Sequence, residues 1–366
     1  MPIPLYDVRG ETLWYAADLR AAFDPVLAAG RFSGGEELAA FEKELAGYCG
    51  TAHAIGVKSG TDAIVLALKA LGIGPGHEVI TSSFTFFATA EAIVETGATP
   101  VFCDIDPVTL CLTADAIEST ITSRTKAVLL VHVFGHSADM DAVTSVCSRH
   151  GIPLVEDAAQ SVGATWRGRM LGSIGAAGTL SFYPTKNLSA LGNGGAILTS
   201  DQGLADAVHS LQNHGRDDHG RYSRIGCNSH LDELQAAFLR VKLAHLESEL
   251  ALRRAIAARY DAELPPELAR VRGAVGCVSN CHQYAVRTAK RDALRKHLAA
   301  AGIGTGDYYS TPLYEEPALS SYRPSAPLPV TEQACRETLT LPVRPSLTEK
   351  EQTAVIAAVR DYFARS

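Results

Sequence analysis

Apolar positions recur along this chain with two different periods. Between Glu36 and Tyr48, the residues Leu38, Phe41, Leu45 and Tyr48 fall on one stripe at helical spacing, which predicts an amphipathic helix. Thr61–Leu71 repeats the pattern with a wider apolar face and stops at Gly72. Short runs rich in Val, Ile, Leu and Phe follow at Glu78–Thr81, Pro100–Asp104, Ala127–Val133 and Pro153–Val155, each bounded by turn residues. Helical stretches such as Asp139–His150 lie between several of them. This alternation predicts an α/β fold with a mostly parallel sheet covered by helices on both faces. After about residue 230 the pattern changes. Leu231–Leu264 reads as one long or kinked helix ended by Pro265-Pro266. A strand at Gln283–Thr288 and helices at Arg291–Ala301 and Thr348–Ala364 complete a smaller α+β unit. The expected division is a large domain over residues 1–245 and a small C-terminal domain over residues 246–366.

Composition narrows the class. The chain has 366 residues, 46% of them hydrophobic, and a formal charge of -7, which is ordinary for a globular protein and lacks the basic footprint of a nucleic-acid binder. Anionic ligands must therefore be held locally, by helix N-termini and a few placed cations. The N-terminal residues lack the basic and apolar regions of a secretory signal, and no apolar run is long enough to span a membrane. The eight scattered cysteines read as reduced thiols, so a cytoplasmic location is expected. Cys277, Cys281 and His282 form one cluster, but their spacing matches no common zinc pattern; they read as small filler near a strand, and no metal is expected.

Ligands of open α/β sheets collect beyond the C-terminal ends of the strands, so the residues following each strand carry the chemistry. Ser59-Gly60-Thr61-Asp62 lies between Ala54–Val57 and a helix; it reads as an anion seat at a helix N-terminus or as a plain N-cap. Glu156-Asp157 ends a buried strand with two acids, and a carboxylate there must be paired. A protonated ring nitrogen is one such partner, and a cap on the next turn is the alternative. Gly178–Phe182 runs into Tyr183-Pro184-Thr185-Lys186, followed by Gly192-Asn193-Gly194-Gly195 and another strand at Ala196–Thr199. A lysine confined between strands and glycines suits covalent imine chemistry, because its pKa falls readily on burial. Ser181 is placed to add a phosphate contact.

Taken in order, these segments resemble the sugar aminotransferases of the DegT/DnrJ/EryC1/StrS family, which have the fold type I, aspartate aminotransferase-like architecture and use pyridoxal 5'-phosphate (PLP). The likeness includes Ser59–Ala63, Thr85-Phe86-Phe87-Ala88-Thr89, Val131–Gly135, Glu156–Gln160, Ser181–Leu188, Gly226–Ala237 and Leu341-Pro342. It implies that Lys186 binds PLP covalently and moves protons at the substrate carbon. Asp157 then pairs with the pyridine nitrogen, Gln160 lies near the phenolic oxygen and Phe86 stacks on the ring. Gly60, Thr61 and Ser181 hold the phosphate, and Asn228 reaches it from the other subunit of a homodimer. Arg31, His230 and Tyr309 are the substrate-contact candidates. The implied reaction transfers an amino group from an amino acid, L-glutamate, to a keto carbon of a nucleotide-linked sugar. No nucleic-acid or membrane partner is implied.

Three positions depart from the family pattern. His230 stands where Arg or Lys is usual, Asn193 replaces an Asp, and Tyr308-Tyr309-Ser310 replaces His-Tyr-Pro. The last two bear on sugar specificity, so a cyclitol or another keto ring remains an alternative acceptor. A PLP-dependent sugar dehydratase of the family carries His in place of the lysine, which Lys186 argues against. A PLP-binding regulator normally carries an appended DNA-binding segment, and only about 35 residues precede the first core helix. A dinucleotide-binding fold would need Gly-x-Gly-x-x-Gly after its first strand, and none follows Ala54–Val57.

Overall fold

The computed structural model describes residues 2–365. The chain opens with α1 (Val8–Trp14), α2 (Ala16–Ala29), α3 (Glu36–Cys49) and β1 (His53–Val57). Strands and helices then alternate: α4 (Gly60–Ala70), β2 (Glu78–Ser82), α5 (Phe87–Glu95), β3 (Thr99–Cys103), α6 (Ala114–Thr120), β4 (Thr125–Val131), α7 (Met140–His150) and β5 (Leu154–Asp157). A small hairpin, β6 (Thr165–Trp166) and β7 (Arg169–Met170), leads to β8 (Ala177–Ser181), β9 (Gly195–Thr199) and α8 (Gln202–Gln212). The 31-residue α9 (Glu233–Glu263) follows as a single helix. The remainder is β10 (Ala269–Arg270), β11 (Cys277–Val278), β12 (Tyr284–Arg287), α10 (Arg291–Ala300), α11 (Pro329–Glu337), β13 (Thr338–Leu341) and α12 (Glu349–Arg365).

Seven strands form the main sheet in the order β1-β9-β8-β5-β4-β2-β3. β8, β5, β4, β2 and β3 run parallel, as the alternation of runs and helices predicts. β9 is antiparallel to both β1 and β8, so the edge strand β1 runs parallel to the other five. Helices cover both faces. Ile64, Leu68, Ile93 and Val208 pack on one face, while Phe84, Met140 and Val143 pack on the other. Strands buried on both sides read as unbroken apolar runs rather than alternation, and β2 and β9 are buried at every residue.

A second, antiparallel sheet has the order β10-β12-β13. α9 links the two cores. Leu239, Leu246 and Leu250 pack with α3 against the main sheet, and Ile256, Ala257 and Tyr260 pack with β12, β13, α10 and α12. Ile3 belongs to this second core and bridges Ile303, which carries the N-terminal segment back across the molecule.

A candidate active site at the strand ends

A cavity of about 630 Å³ opens beyond the C-terminal ends of β4, β5 and β8, lined by Val131, Asp157 and Ser181 among others. Lys186 reaches it from the loop after β8. That loop turns at Pro184, and the Lys186 amide donates to the Tyr183 carbonyl at 2.8 Å. Burial disfavours the charged ammonium and pushes the amine down to about 8, with Asp157 opposing the shift. Roughly a tenth is therefore the nucleophilic free base at pH 7, far more than for an ordinary lysine.

Asp157 ends β5 with its carboxylate buried at the cavity wall. Its Oδ2 accepts from the Thr89 hydroxyl at 2.8 Å, and its Oδ1 accepts from the Ala159 amide at 3.2 Å. Burial raises its pKa, against the lowering effects of Thr89, Ala159 and Lys186. A carboxylate in this state is completed by a cationic N–H partner. Glu156, the preceding residue, is turned to the opposite face of the strand. It accepts from the Gly172, Ile174 and Gly175 amides at 2.6–2.8 Å and pairs with His132 at 2.8 Å. Burial alone would raise Glu156, but His132 and these amides outweigh it and hold the group below the ordinary carboxylate range.

The anion seat is built by close backbone approach. α4 starts at Gly60, and Ser59 caps it by accepting from the Asp62 amide at 3.0 Å. The first amides of the helix are left without intrahelical partners beside the cavity. A Cβ on Gly60 would lie 2.7 Å from the Ser181 Cβ. One on Gly195 would lie 2.5 Å from the Ser59 carbonyl group. Glycine at both positions lets β8, β9 and the start of α4 meet, with Thr61 and Ser181 at the same wall.

Aromatic groups complete the enclosure. Phe86, just before α5, is 63% exposed at the rim, a large apolar face left open to a ligand. Gln160 accepts from the Phe134 amide at 2.6 Å and donates to the Tyr309 hydroxyl at 2.8 Å. Tyr309 also stacks on Phe134 with an interplanar angle of 9°.

Lys186, Asp157, Gln160, Phe86, Gly60, Thr61, Ser181 and Tyr309 are thus brought to one cavity. Asn228, His230 and Arg31 do not line it. Asn228 is exposed and bridges Asn213, while the adjacent Ser229 hydroxyl donates to Asp62 at 2.5 Å. Arg31 is exposed and donates to the Gly34 carbonyl. His230 is half-buried, and burial followed by the nearby His214 lowers its pKa. Sequence reasoning missed Thr89, Tyr6, Tyr308, His282 and Gln283 as cavity residues. Of these, Thr89 and Tyr308 lie inside quoted motifs, and His282 lies in the cluster that reads as filler. Gln283 donates to the Tyr6 hydroxyl at 2.9 Å, which joins the N-terminal segment to the residues leading into β12. His282, read as filler, is buried at the cavity wall. Among the described residues, no group of three or more His, Cys, Asp or Glu side chains is placed to hold a metal.

The cavity therefore offers a nucleophilic amine, a buried carboxylate awaiting a cation, an anion seat and a stacking face. These fit a planar heterocycle with a protonated ring nitrogen, a carbonyl and a phosphate tail. No helix among the described residues is long and apolar enough to cross a membrane.

Comparison with known proteins points the same way. The model of the DegT/DnrJ/EryC1/StrS aminotransferase family matches residues 15–360. A dTDP-3-amino-3,4,6-trideoxy-alpha-D-glucose transaminase of Streptomyces venezuelae is 43% identical over 368 residues, covering 99% of this chain and 97% of the relative. A pleiotropic regulatory protein of Geobacillus stearothermophilus is 40% identical over 369 residues, covering 99% of each chain. A UDP-2-acetamido-2-deoxy-3-oxo-D-glucuronate aminotransferase of Pseudomonas aeruginosa is 38% identical over 358 residues, covering 98% of this chain and 99% of the relative. Among solved structures, S. venezuelae DesV in complex with a ketimine intermediate matches with a TM-score of 0.96 and 43% identity, covering 100% of this chain and 99% of that one. NtdA of Bacillus subtilis with bound cofactor PMP matches with a TM-score of 0.89 and 31% identity, covering 95% and 82%.

Proposed function

This chain belongs to the DegT/DnrJ/EryC1/StrS aminotransferase family, and from that premise we propose that it holds PLP on Lys186 and moves an amino group from L-glutamate to carbon 3 of a nucleotide-linked keto sugar. The observation that carries the reading is Lys186 facing the buried Asp157 in a cavity whose wall includes the start of α4. When bound, PLP supplies the electron sink and the amino-group carrier. Asp157 would keep the ring nitrogen protonated, Gly60, Thr61 and Ser181 would hold the phosphate, and Phe86 and Gln160 would hold the ring. Lys186 would move the proton in each half-reaction, removing one at the donor α-carbon in the first and delivering one to the acceptor carbon in the second.

Position 3 is supported by the relatives, whose names place an amino or oxo group there. The exposed Asn228 supports a homodimer in which Asn228 of the partner subunit reaches the phosphate. Wild-type protein given PLP should show a visible absorbance band that glutamate removes, with 2-oxoglutarate appearing in step. Lys186→Ala should lose at least about a hundredfold in turnover, since loss of a positioned proton-transfer group alone costs 10²–10⁴-fold. A variant keeping more than that fraction sinks the assignment. The regulatory name of one relative makes the donor reaction a direct discriminator, because a regulator without turnover leaves the glutamate unconsumed.

A further inference from the structure

Of the segment Thr85–Thr89, the proposed reaction gives a role to Phe86 alone, yet both of its threonines are buried at the wall of the same cavity. Thr89 Oγ1 lies 2.8 Å from Asp157 Oδ2 and 3.0 Å from Thr85 Oγ1. A threonine hydroxyl has one proton to give, and an ionised carboxylate only accepts. Thr89 therefore donates to Asp157, and Thr85 must donate to Thr89. Hydroxyls joined in this way behind a carboxylate polarise one another, so each bond strengthens the next. The Ala159 amide engages the other oxygen, Oδ1, at 3.2 Å. A carboxylate has about four lone-pair positions. A donor on each oxygen holds its rotation and leaves the other positions to the cavity that Asp157 lines. Thr89 also sits in the first turn of α5, where its amide donates to the Phe86 carbonyl at 3.1 Å. One residue thus ties the stacking face to the acid.

We propose that Thr89 is a positioning residue for Asp157: backed by Thr85, its hydroxyl holds Oδ2 and leaves the remaining lone pairs of the carboxylate free to take the ring N–H of PLP. Burial works against the charged form of Asp157, and the Thr89 hydroxyl comes first among the groups that oppose it, ahead of the Ala159 amide, Lys186 and His132. Removing that hydroxyl should weaken the hold of Asp157 on the ring proton while leaving Lys186, Phe86 and the phosphate seat in place. The inference rests on the reading that Asp157 pairs with the pyridine nitrogen.

The test reads the ring nitrogen itself. Full-length protein is loaded with PLP carrying ¹⁵N in the ring, and the ¹⁵N shift, which separates protonated from free pyridine nitrogen, is followed across pH. Thr89→Val keeps the branched shape and removes only the hydroxyl. Its ring nitrogen should lose the proton about one pH unit lower than in the wild type, a tenfold loss of proton affinity. Thr89→Ser, which restores a hydroxyl, should titrate with the wild type. Lys186, His132 and Tyr309 are the charged and titratable groups beside Asp157, with Tyr6, Tyr183, Tyr308 and His282 elsewhere on the cavity wall. All are unchanged in each variant. A folded, PLP-loaded Thr89→Val protein with the wild-type titration overturns the proposal, as does a serine variant that follows the valine one. If Thr89→Val does not fold or load, a crystal structure of the wild-type holoenzyme decides. A Thr89 hydroxyl bonded to the carboxylate that pairs with the ring nitrogen supports the proposal, and one turned away from Asp157 overturns it. Asp157→Asn separates this inference from the reading beneath it. If its ring nitrogen titrates as in the wild type, Asp157 is not the partner of the ring, whatever Thr89 does.

Discussion

Successive residues of a strand point to opposite faces, so Glu156 and Asp157 meet different surroundings and should fail differently. Asp157→Asn should leave PLP bound but slow the glutamate half-reaction about 10²-fold, the scale of losing one aligned electrostatic partner. Stopped-flow single turnovers measure this, and near-normal rates would make Asp157 a structural group. Glu156→Gln breaks a buried pair that also serves three backbone amides. It should cost about 3–5 kcal/mol of stability in urea unfolding, as broken buried pairs do. His230 belongs to a third class. Its lowered pKa keeps it neutral at pH 7, and its cation forms only on the acid side of 6.5. If that cation contacts an anionic substrate, the sugar KM should fall as pH drops through that acid window, and His230→Arg should flatten the profile. Superimposed profiles would release His230 from this role.

At the scale of elements, the anion seat depends on β9 lying against the start of α4. A methyl at Gly195 would strike the Ser59 backbone, which has no side-chain freedom to yield. Gly195→Ala should therefore cost about 1–3 kcal/mol in thermal or denaturant unfolding and raise the Kd for PLP in parallel. Unchanged PLP affinity would detach the seat from this contact. The same elements explain what the sequence discloses. Lys186, Asp157, Gly60 and Ser181 are legible because each follows or ends a run of strand-forming residues, and strand ends are where such sheets gather ligands. His282 and Tyr6 are not, because nothing local marks Tyr6, and His282 stands in a cluster whose spacing reads as filler. His282 depends on Asn187 from a distant loop, and Tyr6 reaches the cavity only because the N-terminal segment docks at Ile303. α1 and α2 escape notice for another reason. Leu13, Trp14, Phe23 and Leu27 face outward, which blurs the apolar stripe, and Pro25 sits inside α2 where it reads as a breaker.

For the whole molecule, those outward apolar side chains and the exposed Asn228 suit burial against a second copy. If the sites are shared, a Lys186→Ala chain paired with an Asn228→Ala chain at limiting PLP should recover activity. One site then carries both lesions and the other carries neither. A verified mixed dimer with no recovery refutes the exchange while leaving the cofactor assignment intact. The antiparallel β9 has a consequence for synthesis on the ribosome. Among the described residues β1 pairs with no strand but β9, which emerges about 140 residues later. At 5–20 residues per second that is a wait of roughly 7–28 s. Through that interval the apolar edge of β1 is unclaimed and open to pairing with other nascent chains. The strand that completes the phosphate seat is thus also the one that ends the period in which a growing chain is most exposed to aggregation.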